Sequence, residues 1–199
     1  KNYELIIGIN GHPPNSKVYT KAIEEVNKYP NNNNIFIYDF YEIKGKSNTL
    51  NKMINMCNYD WIALLDVDDV WNKNHVSFYF KKYKKNKDCL IYCYSLKNDS
   101  IKNSLKCDNF LVNENQTIHS SWLINRNLCR NFKYKLENPV IALEDYYTLS
   151  YYMRKGFKFY FENKVKTFKY NLSLQSHGNT HKNSPLNKIF RKTFSQKTT

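Results

Sequence analysis

The stretch Trp61-Ile62-Ala63-Leu64-Leu65-Asp66-Val67-Asp68-Asp69-Val70-Trp71 constrains this chain more than any other. An apolar run passes directly into Asp66, Asp68 and Asp69. A short apolar run closed by a polar break predicts a buried strand. Carboxylates crowded at its end repel one another, and at least one pKa rises unless a cation neutralises them. Hard divalent cations favour carboxylate oxygens. Open α/β sheets place ligands beyond the C-terminal ends of their strands. Two environments fit the cluster by itself: a metal site at a sheet edge, and a solvated Asp-rich turn.

The flanking sequence predicts alternating strands and helices. Glu4 to Ile9 is a short apolar run ended by Asn10-Gly11, a first strand. From Ser16 to Tyr29, the apolar residues Tyr19, Ala22, Ile23 and Val26 follow the i, i+3, i+4, i+7 spacing of a one-faced helix. Ile35 to Tyr38 predicts a second strand, ending at Asp39. Strand, helix, strand implies a right-handed βαβ unit with a parallel pair. Helical spacing returns in Leu50, Met53, Ile54 and Cys57, and in Val76, Tyr79, Phe80 and Tyr83. Cys89 to Tyr94 predicts a strand, Lys97 to Gln116 a loop or small hairpin, and Ile118 to Ile124 an extended segment. Glu144 and Asp145 open a helix that stops at Gly156, and Phe157 to Phe161 and Val165 to Tyr170 close the order as strands. Acidic residues in a first turn favour the helix dipole, a structural account of Glu144 and Asp145.

Length allows one sizeable α/β domain, since the chain has 199 residues and 41% hydrophobic content. A domain over residues 1–175 is expected, followed by a basic, polar and flexible tail over 176–199. The first residue is Lys1, so a longer polypeptide is expected. The net charge of +14 favours polyanions, among them phosphorylated ligands and anionic membrane surfaces. The five cysteines show no CxxC pair and fall mostly on apolar faces, which suits small buried thiols in a reducing, cytoplasmic compartment. No apolar stretch is long enough to span a membrane. Gly45-Lys46-Ser47 before a helix suggests a P-loop, but Phe40 stands where that motif needs its first glycine. A helix start beside Lys46 still suits a phosphate.

Four segments together resemble the family 2 glycosyltransferases that use nucleotide sugars. They are Leu5 to Asn10, Gly45-Lys46-Ser47-Asn48-Thr49-Leu50-Asn51, Leu64 to Asp69 with Trp71, and Glu144-Asp145-Tyr146 with Arg154 and Gly156. The third is similar to that family's DxD motif. The resemblance implies an α/β GT-A (Rossmann-like) single domain, its central sheet mostly parallel and flanked by helices. It also implies metal-dependent, inverting transfer of a sugar from a nucleoside diphosphate sugar, foremost a UDP-sugar, to a hydroxyl of a glycan, protein or lipid. The cofactor implied is Mn²⁺ or Mg²⁺.

By the same resemblance, Asp68 contacts the metal, Asp66 faces the ribose or a metal-bound water, and His177 is a late candidate near the diphosphate. Asp39 meets the nucleobase, Lys46 offsets diphosphate charge, and Asn51 belongs to the donor site. Asp145 is the base that takes the acceptor proton, with Glu144 as neighbour or substitute, and Trp71 and Trp122 line the acceptor pocket. The loop Gly11-His12-Pro13-Pro14 departs from the family pattern, and no Asp-Gly-Ser follows the second strand. The alternative from another class is a metal-dependent nuclease or nucleotidyltransferase built on the same acidic residues. It leaves the Gly45 to Asn51 segment without a role and lacks an aromatic platform for bases, so no nucleic-acid partner is expected.

Overall fold

The computed structural model describes residues 3–29, 33–95, 117–135 and 144–170. The expected Lys97 to Gln116 loop, the tail 176–199 and His177 lie outside the described residues. The chain divides into two compact units, residues 1–59 with 133–140, and residues 60–132 with 141–199.

In the first unit, β1 (Leu5–Ile9) and β2 (Ile35–Asp39) pair in parallel, with Leu5 opposite Ile35 and Ile9 opposite Asp39. The helix α1 (Lys17–Asn27) connects them, as a parallel pair requires. Ser16 caps it, its Oγ accepting from the Tyr19 N–H at 3.3 Å. The helix α2 (Lys46–Met56) starts just after Gly45, whose φ of 85° lies where side chains are strained. A Cβ at Gly8 would meet Met53 Sδ at 2.5 Å and the Phe40 ring at 3.0 Å, so α2 and the loop after β2 pack directly on the β1 backbone. The Asn10 side chain donates to the carbonyls of Phe40 at 2.8 Å and Ile43 at 2.6 Å. It thereby ties the loop after β1 to the loop after β2.

In the second unit, a four-stranded sheet has the order β3 (Trp61–Ala63), β6 (Leu123–Asn125), β5 (Cys89–Tyr94), β7 (Lys158–Glu162). A two-stranded ribbon pairs β4 (Val70–Trp71) with β8 (Phe168–Lys169). The helix α3 (His75–Tyr83) lays its apolar stripe on the sheet: Tyr79 is fully buried, and Phe80 and Tyr83 meet the Trp61 ring edge-on at 5.0 and 4.7 Å. The helix α4 (Glu144–Arg154) buries Leu149 and Tyr152, with Tyr152 stacked on Phe132 at 4.8 Å.

The larger sheet carries one strand, β6, that runs against its neighbours. Among the described residues the pairing is mixed: β1–β2 and β5–β7 are parallel, whereas β3–β6, β5–β6 and β4–β8 are antiparallel. The cause is the segment expected to be wholly extended. Residues His119–Ser121 form a 3₁₀ turn, and the chain then enters between β3 and β5 as β6, running against both.

Candidate functional site

The acidic loop begins where β3 stops. Its ladder ends at Ala63, and from there the 3₁₀ turn takes over the hydrogen bonds. The Leu64 N–H donates to the Trp122 carbonyl at 3.1 Å, and the Asp66 N–H donates to Ser120 Oγ at 2.9 Å. The loop turns at Asp66 to Asp69, closed by the Asp69 N–H on the Asp66 carbonyl at 3.1 Å. It leaves through β4, where the Trp71 indole donates to the Ser120 carbonyl at 2.6 Å.

Within this loop the three carboxylates stand differently. Asp69 is buried, Asp66 half-buried, and Asp68 exposed. Asp66 Oδ2 lies 3.1 Å from His119 Nδ1. Glu144 is buried at the head of α4, where its carbonyl accepts from Thr148 Oγ1 at 2.6 Å, and Asp145 is half-buried beside it. Tyr170, next after β8, lies within electrostatic reach of both acidic segments. Partial burial first, and then the negative charges of Asp69, Asp68, Asp66 and Asp145, push its phenol above the ordinary tyrosine pKa.

Beneath the loop, His75 is 2% exposed and stacks on Trp71 at 4.6 Å with ring planes 9° apart. Its Nδ1 lies 2.8 Å from Thr167 Oγ1. Burial pushes its pKa down to about 4 against the opposing hydrogen bond to Thr167, so the ring is neutral near pH 7. His75 is therefore a packing support under Trp71.

In the first unit, Asp39 is exposed at the end of β2, and its Oδ1 accepts from the Tyr41 N–H at 2.8 Å. Lys46 is the exposed first residue of α2.

Two expected site residues are engaged in the fold. Asn51 clamps the chain: its Nδ2 donates to the Tyr134 carbonyl at 3.0 Å and its Oδ1 accepts from the Tyr134 N–H at 2.6 Å. Both ends of the amide are thus committed to the backbone N–H and C=O of one residue, itself only 1% exposed, so Asn51 braces the fold here. Trp122 is 0% exposed and belongs to the core, which leaves it no surface for an acceptor. Asn51→Ala is expected to cost about 1–3 kcal/mol, because it strands a buried N–H and C=O. For a chain of this size each kcal/mol lowers Tm by about 2–4 °C, and thermal unfolding followed by circular dichroism checks it. An unchanged Tm would sink the clamp.

Sequence reasoning missed His119, Ser120 and Tyr170. A signal existed for the first two: polar His119-Ser120-Ser121 interrupts an otherwise apolar segment, which marks a turn. Tyr170 had none, being one of 17 tyrosines.

Whether a divalent cation fits can be judged from the donor set. Among the described residues no group of three or more His, Cys, Asp or Glu side chains closes a protein cage. Asp66 and Asp68 lie in one turn, and Asp68 is open to solvent. That set suits a hard cation taking one or two carboxylates and completing its shell with phosphate oxygens and water.

Comparison with known proteins agrees with this layout. The family model described as glycosyl transferase family 2 matches residues 1–192. The chain therefore belongs to glycosyl transferase family 2, and its fold is the GT-A α/β fold. Among solved structures it is similar to residues 1–349 of S. aureus TarS, with 10% identity and a TM-score of 0.58, over 96% of this chain and 60% of that one. The same TarS fragment in complex with UDP-GlcNAc gives 11% identity and a TM-score of 0.52, over 98% and 62%. A longer TarS structure gives 10% and 0.58, over 98% and 42%. The chain thus spans less than two thirds of the length of each of these TarS chains. No curated protein matches it. Family membership removes the ground for the nuclease alternative. No described helix is long and apolar enough to cross a membrane.

Proposed function

We propose that this chain carries the catalytic site of a metal-dependent, inverting glycosyltransferase. It moves a sugar from a nucleoside diphosphate sugar, a UDP-sugar foremost, to a hydroxyl acceptor on a glycan, protein or lipid. The observation that carries this is the acidic turn Asp66 to Asp69 beyond the end of β3, held by Ser120 with Asp68 exposed, in a chain of this family. The similarity to a TarS structure holding UDP-GlcNAc supports a uridine nucleotide.

The roles are those that the family resemblance implies. Asp68 is the exposed carboxylate and would hold Mn²⁺ or Mg²⁺, with Asp66 assisting and His177 as a further candidate ligand. The bound cation would supply charge to offset the negative charge growing on the departing diphosphate. Asp66 receives a hydroxyl of the donor ribose. Asp39 meets the nucleobase and Lys46 the diphosphate. Asp145 accepts the proton of the attacking hydroxyl, and Glu144 supports it at the helix head. Attack with one displacement inverts the anomeric carbon. Trp71, held by Ser120 and His75, offers its indole edge region to the acceptor.

The test is thermal shift with UDP- and GDP-sugars, with and without Mn²⁺. A ligand at a hundredfold excess over Kd stabilises by about 2.7 kcal/mol, and the shift is expected only with metal present. Stabilisation by oligonucleotides alone, lost steeply with salt, would overturn the proposal.

A further inference from the structure

The 3₁₀ turn His119–Ser121 and the residue after it grip the acidic loop along its length. Ser120 Oγ takes the Asp66 N–H at 2.9 Å, the Ser120 carbonyl takes the Trp71 indole N–H at 2.6 Å, and the Trp122 carbonyl takes the Leu64 N–H at 3.1 Å. The side-chain bond in this set joins His119 Nδ1 to Asp66 Oδ2 at 3.1 Å. An ionised carboxylate has no proton to give, so Nδ1–H is the donor. His119 is 7% exposed, whereas the Asp66 side chain keeps 29% of its surface. The ring packs on the fully buried Trp122, with centroids 5.3 Å apart, and Ser120 and Ser121 are both 0% exposed.

A carboxylate turns easily about its last torsion, which has a broad profile. Fixing one oxygen to a buried, packed ring fixes the plane of the group. The order that a ligand would otherwise have to impose is then already present.

We propose that His119 is a positioning residue for donor binding: its Nδ1–H holds Asp66 Oδ2 and so orients the Asp66 carboxylate toward a hydroxyl of the nucleoside diphosphate. This rests on the glycosyltransferase function proposed above. His119 acts through Asp66 and does not itself touch the donor.

Isothermal titration of the full chain with UDP, GDP and dTDP, each with Mn²⁺, tests it. His119→Leu fills the volume without a donor and is expected to weaken nucleotide binding about tenfold, the scale of one charge-assisted hydrogen bond. His119→Asn carries an amide nitrogen as many bonds from Cα as Nδ1 and recovers most of the affinity. His119→Gln places its nitrogen one bond further, where Nε2 stood, and binds as weakly as the Leu variant. In an Asp66→Ala background His119→Leu adds little further loss, the coupling expected when one residue works through the other. A folded His119→Leu or His119→Gln chain with wild-type affinity overturns this proposal alone, as do strictly additive losses in the double variant. Failure of the wild-type chain to bind any of the three nucleotides overturns the glycosyltransferase function and this role with it.

Discussion

Asp68→Ala is expected to abolish metal-dependent donor binding while leaving the fold intact. Asp68 is exposed in the turn after β3, and surface truncations of this kind usually change stability by less than about 0.5 kcal/mol. Loss of its carboxylate removes the exposed acidic group of the loop proposed to hold the cation, and with that cation the positive charge that offsets the diphosphate. The thermal shift given by a UDP-sugar with Mn²⁺ should vanish, and the melting temperature without ligand should stay put. Asp69→Ala is the contrast. Asp69 is 6% exposed in the turn closed on Asp66, so its truncation should lower stability itself. If Asp68→Ala keeps the full metal-dependent shift, the cation is held elsewhere.

Asp145→Asn should give the opposite pattern: donor binding retained, transfer lost. The substitution keeps shape and hydrogen-bonding capacity but removes the group that accepts a proton. General-base catalysis contributes about 10²–10⁴-fold, and a fall of that size in kcat with an unchanged donor KM is expected. Initial rates of donor turnover with an added acceptor measure it. Full activity in Asp145→Asn would pass the base role to Glu144, which is buried one residue earlier.

Much of the fold was legible because local periodicity reports which face of an element is apolar. The spacing of Val76, Tyr79, Phe80 and Tyr83 predicted α3, and that stripe meets Trp61 and the sheet. Gly156, with φ of 82°, ends the helix that Glu144 opens, as expected. The sheet pairing was less legible. The direction of β6 depends on a turn of three buried polar residues, and no local pattern reports which strand a neighbour will pair with.

The candidate site divides in the same way. The acidic residues stood out in the sequence because charge at the end of an apolar run is conspicuous. Asn51 stood in a motif that resembled a donor site, yet its partner is the backbone of Tyr134, 83 residues away. Trp122 offered a large aromatic surface to any reader of sequence, but burial consumes all of it.

By itself, then, the sequence determined the strand-and-helix order, the acidic stretch Asp66 to Asp69 and the acidic helix head at Glu144 and Asp145. Tertiary structure alone decided how those carboxylates differ: Asp66 Oδ2 meets His119 Nδ1, Asp69 is buried, Asp68 is exposed, and Asp145 is half-buried. The reason is physical. Periodicity is a property of neighbouring residues, whereas burial and hydrogen-bond partners are set by chain segments that meet only once the fold has closed.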